Sequence, residues 1–251
     1  MSARRPRGPF AALAACLAGM LLAGAARAEP VPFRIAYELT RDGDEIAEVT
    51  RTLEESAEGR WRFTSRVEPS GILASVVGGA IEEVTELERA GDRLRPLHYR
   101  FRRHGLGRER EVTVRFDWQR GRVVNEVNGN RWTMTVPEAT LDKHALVLAV
   151  VEDLRAGRVA GEYPVADGGR LKTYVHEHLG EERVITPLGA FDALTLRRMR
   201  PGDQPPTLFW HAPGLDYVPV RIERRDGEGR LLRMSLTRYR PGSVTGPAPS
   251  Q

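Results

Sequence analysis

Apolar and polar residues alternate with a period of two along most of this 251-residue chain. Phe33, Ile35, Tyr37 and Leu39 alternate with Arg34, Ala36, Glu38 and Thr40. Trp61, Phe63, Ser65 and Val67 alternate with Arg62, Thr64, Arg66 and Glu68, and Val112, Val114, Phe116 and Trp118 with Glu111, Thr113, Arg115 and Asp117. Such segments are strands with one dry and one wet face. Short turns separate them, among them Arg41-Asp42-Gly43-Asp44, Asn128-Gly129-Asn130, Asp167-Gly168-Gly169 and Asp226-Gly227-Glu228-Gly229. Gly, Asn and Asp tolerate the positive φ angles that hairpins need. The pattern predicts about a dozen strands in an antiparallel meander, hence an all-β dominated fold. A sheet that wide curls into a barrel or half-barrel.

Two segments depart from this rhythm. Thr140–Arg155 places Leu141, Ala145, Leu148, Val151 and Leu154 at helical spacing, with Pro137 before it and Gly157 after it. Thr140 or Asp142 can cap it, so one amphipathic helix over about 140–156 is expected, plugging or covering the open side of the sheet. Residues 70–81 (SGILASVVGGAI) are small, apolar and uncharged. They read as a buried segment, or as a lid over an apolar cavity with Gly71, Gly78 and Gly79 as hinges.

The N-terminus carries Arg4, Arg5 and Arg7, then an apolar run from Phe10 to Ala26, then Ala26-Arg27-Ala28. That order is a secretory signal peptide at 1–28, with the cut expected between Ala28 and Glu29 and a periplasmic mature chain. The rival readings are an uncleaved anchor and a lipobox at Leu13-Ala14-Ala15-Cys16, in which Cys16 would be acylated. Cutting before Cys16 would leave a greasy tail, Leu17–Ala26, on the mature protein, which disfavours that reading. With Cys16 gone, the mature chain has no thiol and no disulfide, so burial alone holds it together. A single β-rich domain is expected over 29–240, with a disordered proline-rich tail at 241–251.

The formal charge of +4 comes from the leader. Arg4, Arg5, Arg7 and Arg27 belong to it, so 34 of the 38 basic residues remain, against 34 acidic ones. Balanced charge on an exported chain argues against nucleic acid, despite the run Tyr99-Arg100-Phe101-Arg102-Arg103-His104.

No chemistry announces itself. There is no G-x-S-x-G serine, no phosphate loop and no dinucleotide fingerprint. Paired acids such as Glu82-Glu83 sit in alternating charge patterns and do not make a glycosidase dyad. His176-Glu177-His178 is the one cluster with metal-like spacing, His98 or His211 being the available third ligand. Two half-exposed histidines on a sheet rim are the simpler account. No cofactor and no enzymatic activity are expected.

The chain resembles the bacterial envelope proteins grouped as Domain of Unknown Function 3108. The matching residues are Thr186-Pro187-Leu188-Gly189-Ala190-Phe191, then Phe209-Trp210, then Tyr217-Val218-Pro219-Val220-Arg221-Ile222-Glu223 and Gly229. Upstream, Phe33 with Tyr37, Leu94-x-Pro96 with Tyr99, and Phe116-Asp117-Trp118 also fit. The resemblance implies class and compartment but no activity. One departure is Asp142-Lys143-His144-Ala145, where the family's D-x-x-S pattern would end in serine.

These observations predict a non-enzymatic periplasmic β-protein that holds an apolar or amphipathic envelope molecule, such as a lipid, on a concave sheet. The candidate ligand-binding residues are Trp61, Phe63, Ile72, Leu73, Val76, Val77, Phe116, Trp118 and Trp210. The alternatives are an interaction module for envelope proteins, using an exposed strand edge, or an enzyme with a dispersed site near His176 and His178.

Overall fold

The structure, a computed structural model, describes residues 30–242 except 57–58, 71–78, 106–108, 200 and 203. The expected signal peptide, most of the expected tail and most of the uncharged 70–81 segment lie outside the described residues. So do Ile72, Leu73, Val76 and Val77.

Among the described residues, fifteen strands form one sheet. The first eight are β1 (Phe33–Arg41), β2 (Asp44–Ser56), β3 (Arg60–Pro69), β4 (Ile81–Ala90), β5 (Arg93–Arg103), β6 (Arg110–Asp117), β7 (Arg122–Val127) and β8 (Asn130–Thr135). A two-residue β9 (Leu141–Asp142) and the helix α1 (Ala145–Arg155) follow. The return half is β10 (Gly161–Asp167), β11 (Arg170–Thr186), β12 (Gly189–Met199), β13 (Thr207–His211), β14 (Pro219–Arg225) and β15 (Leu231–Pro241). The order across the sheet is β8 to β1, then β15 down to β9. The chain therefore starts mid-sheet, builds one wing outward, crosses to the far edge and returns. All pairings are antiparallel except β9 with β10. The strand count exceeds the dozen read from alternation, because short elements such as β8, β9 and β13 carry too few residues to show a period.

Chain length forces the curl. Fifteen strands laid flat would span roughly 65–70 Å. Six steps of chain from Thr135 to Leu141 join the two edges, and they reach about 20 Å at most. The sheet must bend until its edges nearly meet. They meet through side chains: the Trp132 indole donates to the Gly169 carbonyl at 3.2 Å, and Val136 and Ala166 belong to one buried apolar cluster. No β8–β9 ladder forms, so the structure is an open curl and not a closed barrel. Gly169 has φ +74, and a Cβ there would lie 2.1 Å from the Trp132 indole nitrogen. Only glycine lets the seam approach this closely.

The helix sits inside the curl. Ala145, Leu146, Leu148, Ala149, Val150, Val151, Asp153 and Leu154 are all buried. An amphipathic helix with one wet face was expected. This one is dry on most sides because sheet surrounds it. It also begins later than Thr140, since Leu141 and Asp142 are taken up in strand pairing with β10. Asp142 supplies the cap: its Oδ1 accepts the His144 and Ala145 N–H groups, each at 2.8 Å. The cap uses the backbone of Ala145, so it works without a serine there. At the other end Gly157 donates to Leu154 at 3.0 Å and Arg158 to Asp153 at 2.8 Å, closing the last turn.

Strands β11 and β12 extend past the sheet. Their register slips between His178 and Gly180. Beyond the slip the hairpin reaches β14 and β15: Leu188 N–H donates to Leu236 at 3.1 Å, and Arg221 donates to the Ile185 carbonyl at 2.6 Å. This covers part of the outer surface, which is why Val184, Ala193 and Trp210 are all buried. The tip is the Thr186-Pro187-Leu188-Gly189 turn, in which the Thr186 hydroxyl donates to the Gly189 carbonyl at 3.1 Å.

Candidate functional site

The helix fills most of the concave side and leaves a hollow of about 450 Å³ at its N-terminal end. Leu39, Val49, Val67, Ile81, Ile222 and Met234 supply apolar wall. All come from strand segments at one rim of the curl, and alternation points them inward. The size falls within the range of small-molecule pockets.

Charged groups share that wall. Arg51, Lys143, Arg198 and Arg224 line it, with Glu83 and Asp167. Arg51 occupies an inward position between Val49 and Leu53 on β2, so its guanidinium enters the apolar interior. It lies 5.7 Å from the Tyr37 ring centre. Its Nε and Nη1 are buried, with no hydrogen-bond partner among the described residues. Arg198 stands 4.8 Å from the Phe209 ring centre and donates to Thr207 at 3.4 Å. The two carboxylates are committed. Glu83 takes Lys143 at 3.0 Å and the Tyr99 hydroxyl at 2.7 Å. Asp167 takes Lys172 at 2.8 Å and the Tyr174 hydroxyl at 3.0 Å.

A buried polar cluster backs the hollow. Thr85 donates to Asp142 Oδ1 at 3.2 Å or shares its proton with His144 Nδ1 at 3.1 Å. The Phe63 ring stacks on His144 at 4.1 Å. Burial pushes His144 down to about 3, reinforced by Arg51 and Lys143 and opposed by Glu83. Burial also raises Asp142, to about 6, against the pull of its two backbone N–H donors. Burial would raise Glu83 too, but Lys143, His144 and Tyr99 together outweigh it and hold the carboxyl at about 2. At neutral pH the imidazole is therefore neutral and Glu83 ionised.

None of the five described candidate aromatics lines this hollow. Trp61 and Phe63 are buried in the main core beside it. Phe116 and Trp118 stack on each other at 5.0 Å, and the Trp118 indole donates to Pro96 at 2.8 Å. Trp210 faces away from the hollow: its indole donates to Glu182, and Arg221 lies over its ring. The aromatic that does line the hollow is its neighbour Phe209. Gly79 is described. A Cβ there would fall 1.2 Å from the His104 carbonyl oxygen, so close backbone approach accounts for this glycine.

His176 and His178 are not brought together as a ligand pair. His176 is buried against Tyr163 and Phe209, and His178 is exposed. Burial, with Arg198 and His211 nearby, lowers His176 to about 3; burial alone lowers His211 to about 4. Among the described residues, no three His, Cys, Asp or Glu side chains are close enough to hold a metal ion. Nor is any described helix long and apolar enough to cross a membrane.

A second hollow, about 540 Å³, lies at the other end of the helix between β5 and β10. Its charges are paired. Asp153 accepts from Arg93 at 2.6 Å, Arg158 at 2.7 Å and Tyr163 at 2.5 Å. Glu152 accepts from the Leu94 N–H at 3.3 Å, and burial raises it to about 7. A trough of about 600 Å³ lies on the outer face. It is polar, with Arg102–Glu111 and Arg115–Glu126 pairs across strands at 3.1 and 4.0 Å.

An open, helix-filled antiparallel curl defines the class. The chain belongs to the family described as protein of unknown function DUF3108, whose model matches residues 32–237. No curated protein matches it. Among solved structures, it is similar to a β-barrel-like protein of domain of unknown function DUF1849 from Brucella abortus. The two share 13% identity over 84% of this chain and 98% of that one, with TM-score 0.54. That likeness supports the fold. MucB (11% identity, 88% and 55% covered, TM-score 0.30) is more remote. So is a domain from Vibrio parahaemolyticus named for outer membrane lipoprotein sorting (10% identity, 89% and 90% covered, TM-score 0.25). Neither superimposes well enough to bear on the fold.

Proposed function

We propose that this is an exported, non-enzymatic periplasmic protein that holds the apolar part of an amphipathic envelope molecule in the hollow at the helix N-terminus. One observation carries this reading. The inner wall there is apolar strand surface that, among the described residues, neither the helix nor the sheet fills, whereas the hollow at the other end of the helix is lined by charges paired within the fold. The leader sequence supports export. Asp142, Thr85 and His144 are engaged with one another and with the start of the helix, which supports the non-enzymatic reading. Native mass spectrometry of protein purified from periplasm tests it. A retained lipid mass is the expected result. A clean apo mass, together with no uptake of an added fatty acid, overturns it.

A further inference from the structure

The hollow is lopsided in charge. Glu83 and Asp167, the carboxylates on its wall among the described residues, are each held by a lysine and a tyrosine hydroxyl. Three guanidinium groups, Arg51, Arg198 and Arg224, stand on the same wall. Arg51 decides the matter. It stands in the inward phase of β2 between the buried Val49 and Leu53, and two of its buried nitrogens lack a partner among the described residues. Leaving buried donors unpaired is costly, and more so for a charged group. A planar guanidinium with free donors is the group best shaped to take a carboxylate or phosphate through two parallel hydrogen bonds. Apolar wall continues from it through Leu39, Val49 and Met234, so an anion bound there would have a greasy surface beside it.

We infer that the hollow selects an anionic amphiphile: a single acyl or alkyl chain whose carboxylate or phosphate group is bound by Arg51, in a positive field that Arg198 and Arg224 reinforce. This rests on the proposed binding function and narrows it to a headgroup charge. The neutral His144 behind the hollow neither adds to that field nor competes for the anion.

The test uses one tail and four headgroups. Calorimetry on the lipid-stripped exported protein measures dodecanoate, dodecyl phosphate, dodecanol and dodecyltrimethylammonium below their micelle concentrations. The two anions are expected to bind at least about tenfold more tightly than the alcohol, with the cation weakest. Stronger binding of the phosphate points to a lipid headgroup as the source, and stronger binding of the carboxylate to a free fatty acid. Arg51→Met is expected to erase the preference for anions, and Arg51→Lys to keep part of it. Thermal melting of both variants checks that they fold. Equal affinity for anion and alcohol overturns the headgroup assignment while leaving apolar binding standing. So does a preference that survives Arg51→Met. If none of the four binds, the proposed function fails along with it.

Discussion

The two ends of the buried helix solve the same problem differently. At the C-terminal end, Asp153 draws Arg93, Arg158 and Tyr163 onto one carboxylate. At the N-terminal end, Arg51 has buried donors without a partner among the described residues. Both ends place charge against an apolar core, which is costly unless the charge is paired. One end meets that cost within the fold. The other leaves it open beside a hollow, and an external anion would complete it. The contrast sets charges paired within the fold against the Arg51 donors, which the proposed ligand would pair.

Four variants break or sharpen this contrast. The largest effect belongs to core packing beside the hollow. Phe63 is fully buried and stacked on His144, so Phe63→Ala should cost about 3–5 kcal/mol, read as a fall in the urea midpoint. Asp153→Ala comes next. It strands two arginines and a tyrosine, but both arginines are nearly half exposed, so about 2–3 kcal/mol is expected by the same measurement.

Glu152→Gln tests the C-terminal end by pH. The folded protein holds the Glu152 proton up to about pH 7, whereas an unperturbed carboxyl releases it near 4.5. Between those values the folded state binds more protons, so stability is present below pH 4.5 and lost as pH rises through 7. Glutamine removes that loss. The variant should melt above the parent at pH 8, by about 1–2 kcal/mol of stability, and with it at pH 4.5. The smallest effect is expected at Arg51: Arg51→Met should leave stability unchanged or raise it by up to about 1 kcal/mol. A large loss of stability there would make Arg51 a structural charge and dissolve the contrast.

Much of the fold was legible from alternation. β1, β3 and β6 lie where period two placed them, because each has one face against the core. The open seam was not legible, since it depends on the length of residues 136–140 and on Trp132 meeting Gly169. The late helix start was hidden because Leu141 fits a helical period as well as a strand. Trp210 was misleading for a different reason. Beside Phe209 it must face the other way, and only the overhanging β11–β12 hairpin buries it. The cationic wall did leave a trace: Val49-x-Arg51-x-Leu53, Leu194-x-Leu196-x-Arg198 and Ile222-x-Arg224 each put arginine in the apolar phase. An out-of-place charge in an otherwise dry register was the signal that aromatic counting missed.

The first strand and the last are neighbours, with Phe33 opposite Pro241 and Arg41 opposite Leu232. Joining them closes a loop of nearly the whole described chain, the kind of distant pairing that makes folding slow. The walls of the hollow come from both sides of that junction. A polypeptide stopped short of β15 would therefore have a bare central edge, open to mispairing, and only half a receptacle. Assembly of the hollow and completion of the fold are one event, so a ligand of the proposed kind should slow unfolding and leave the refolding rate unchanged.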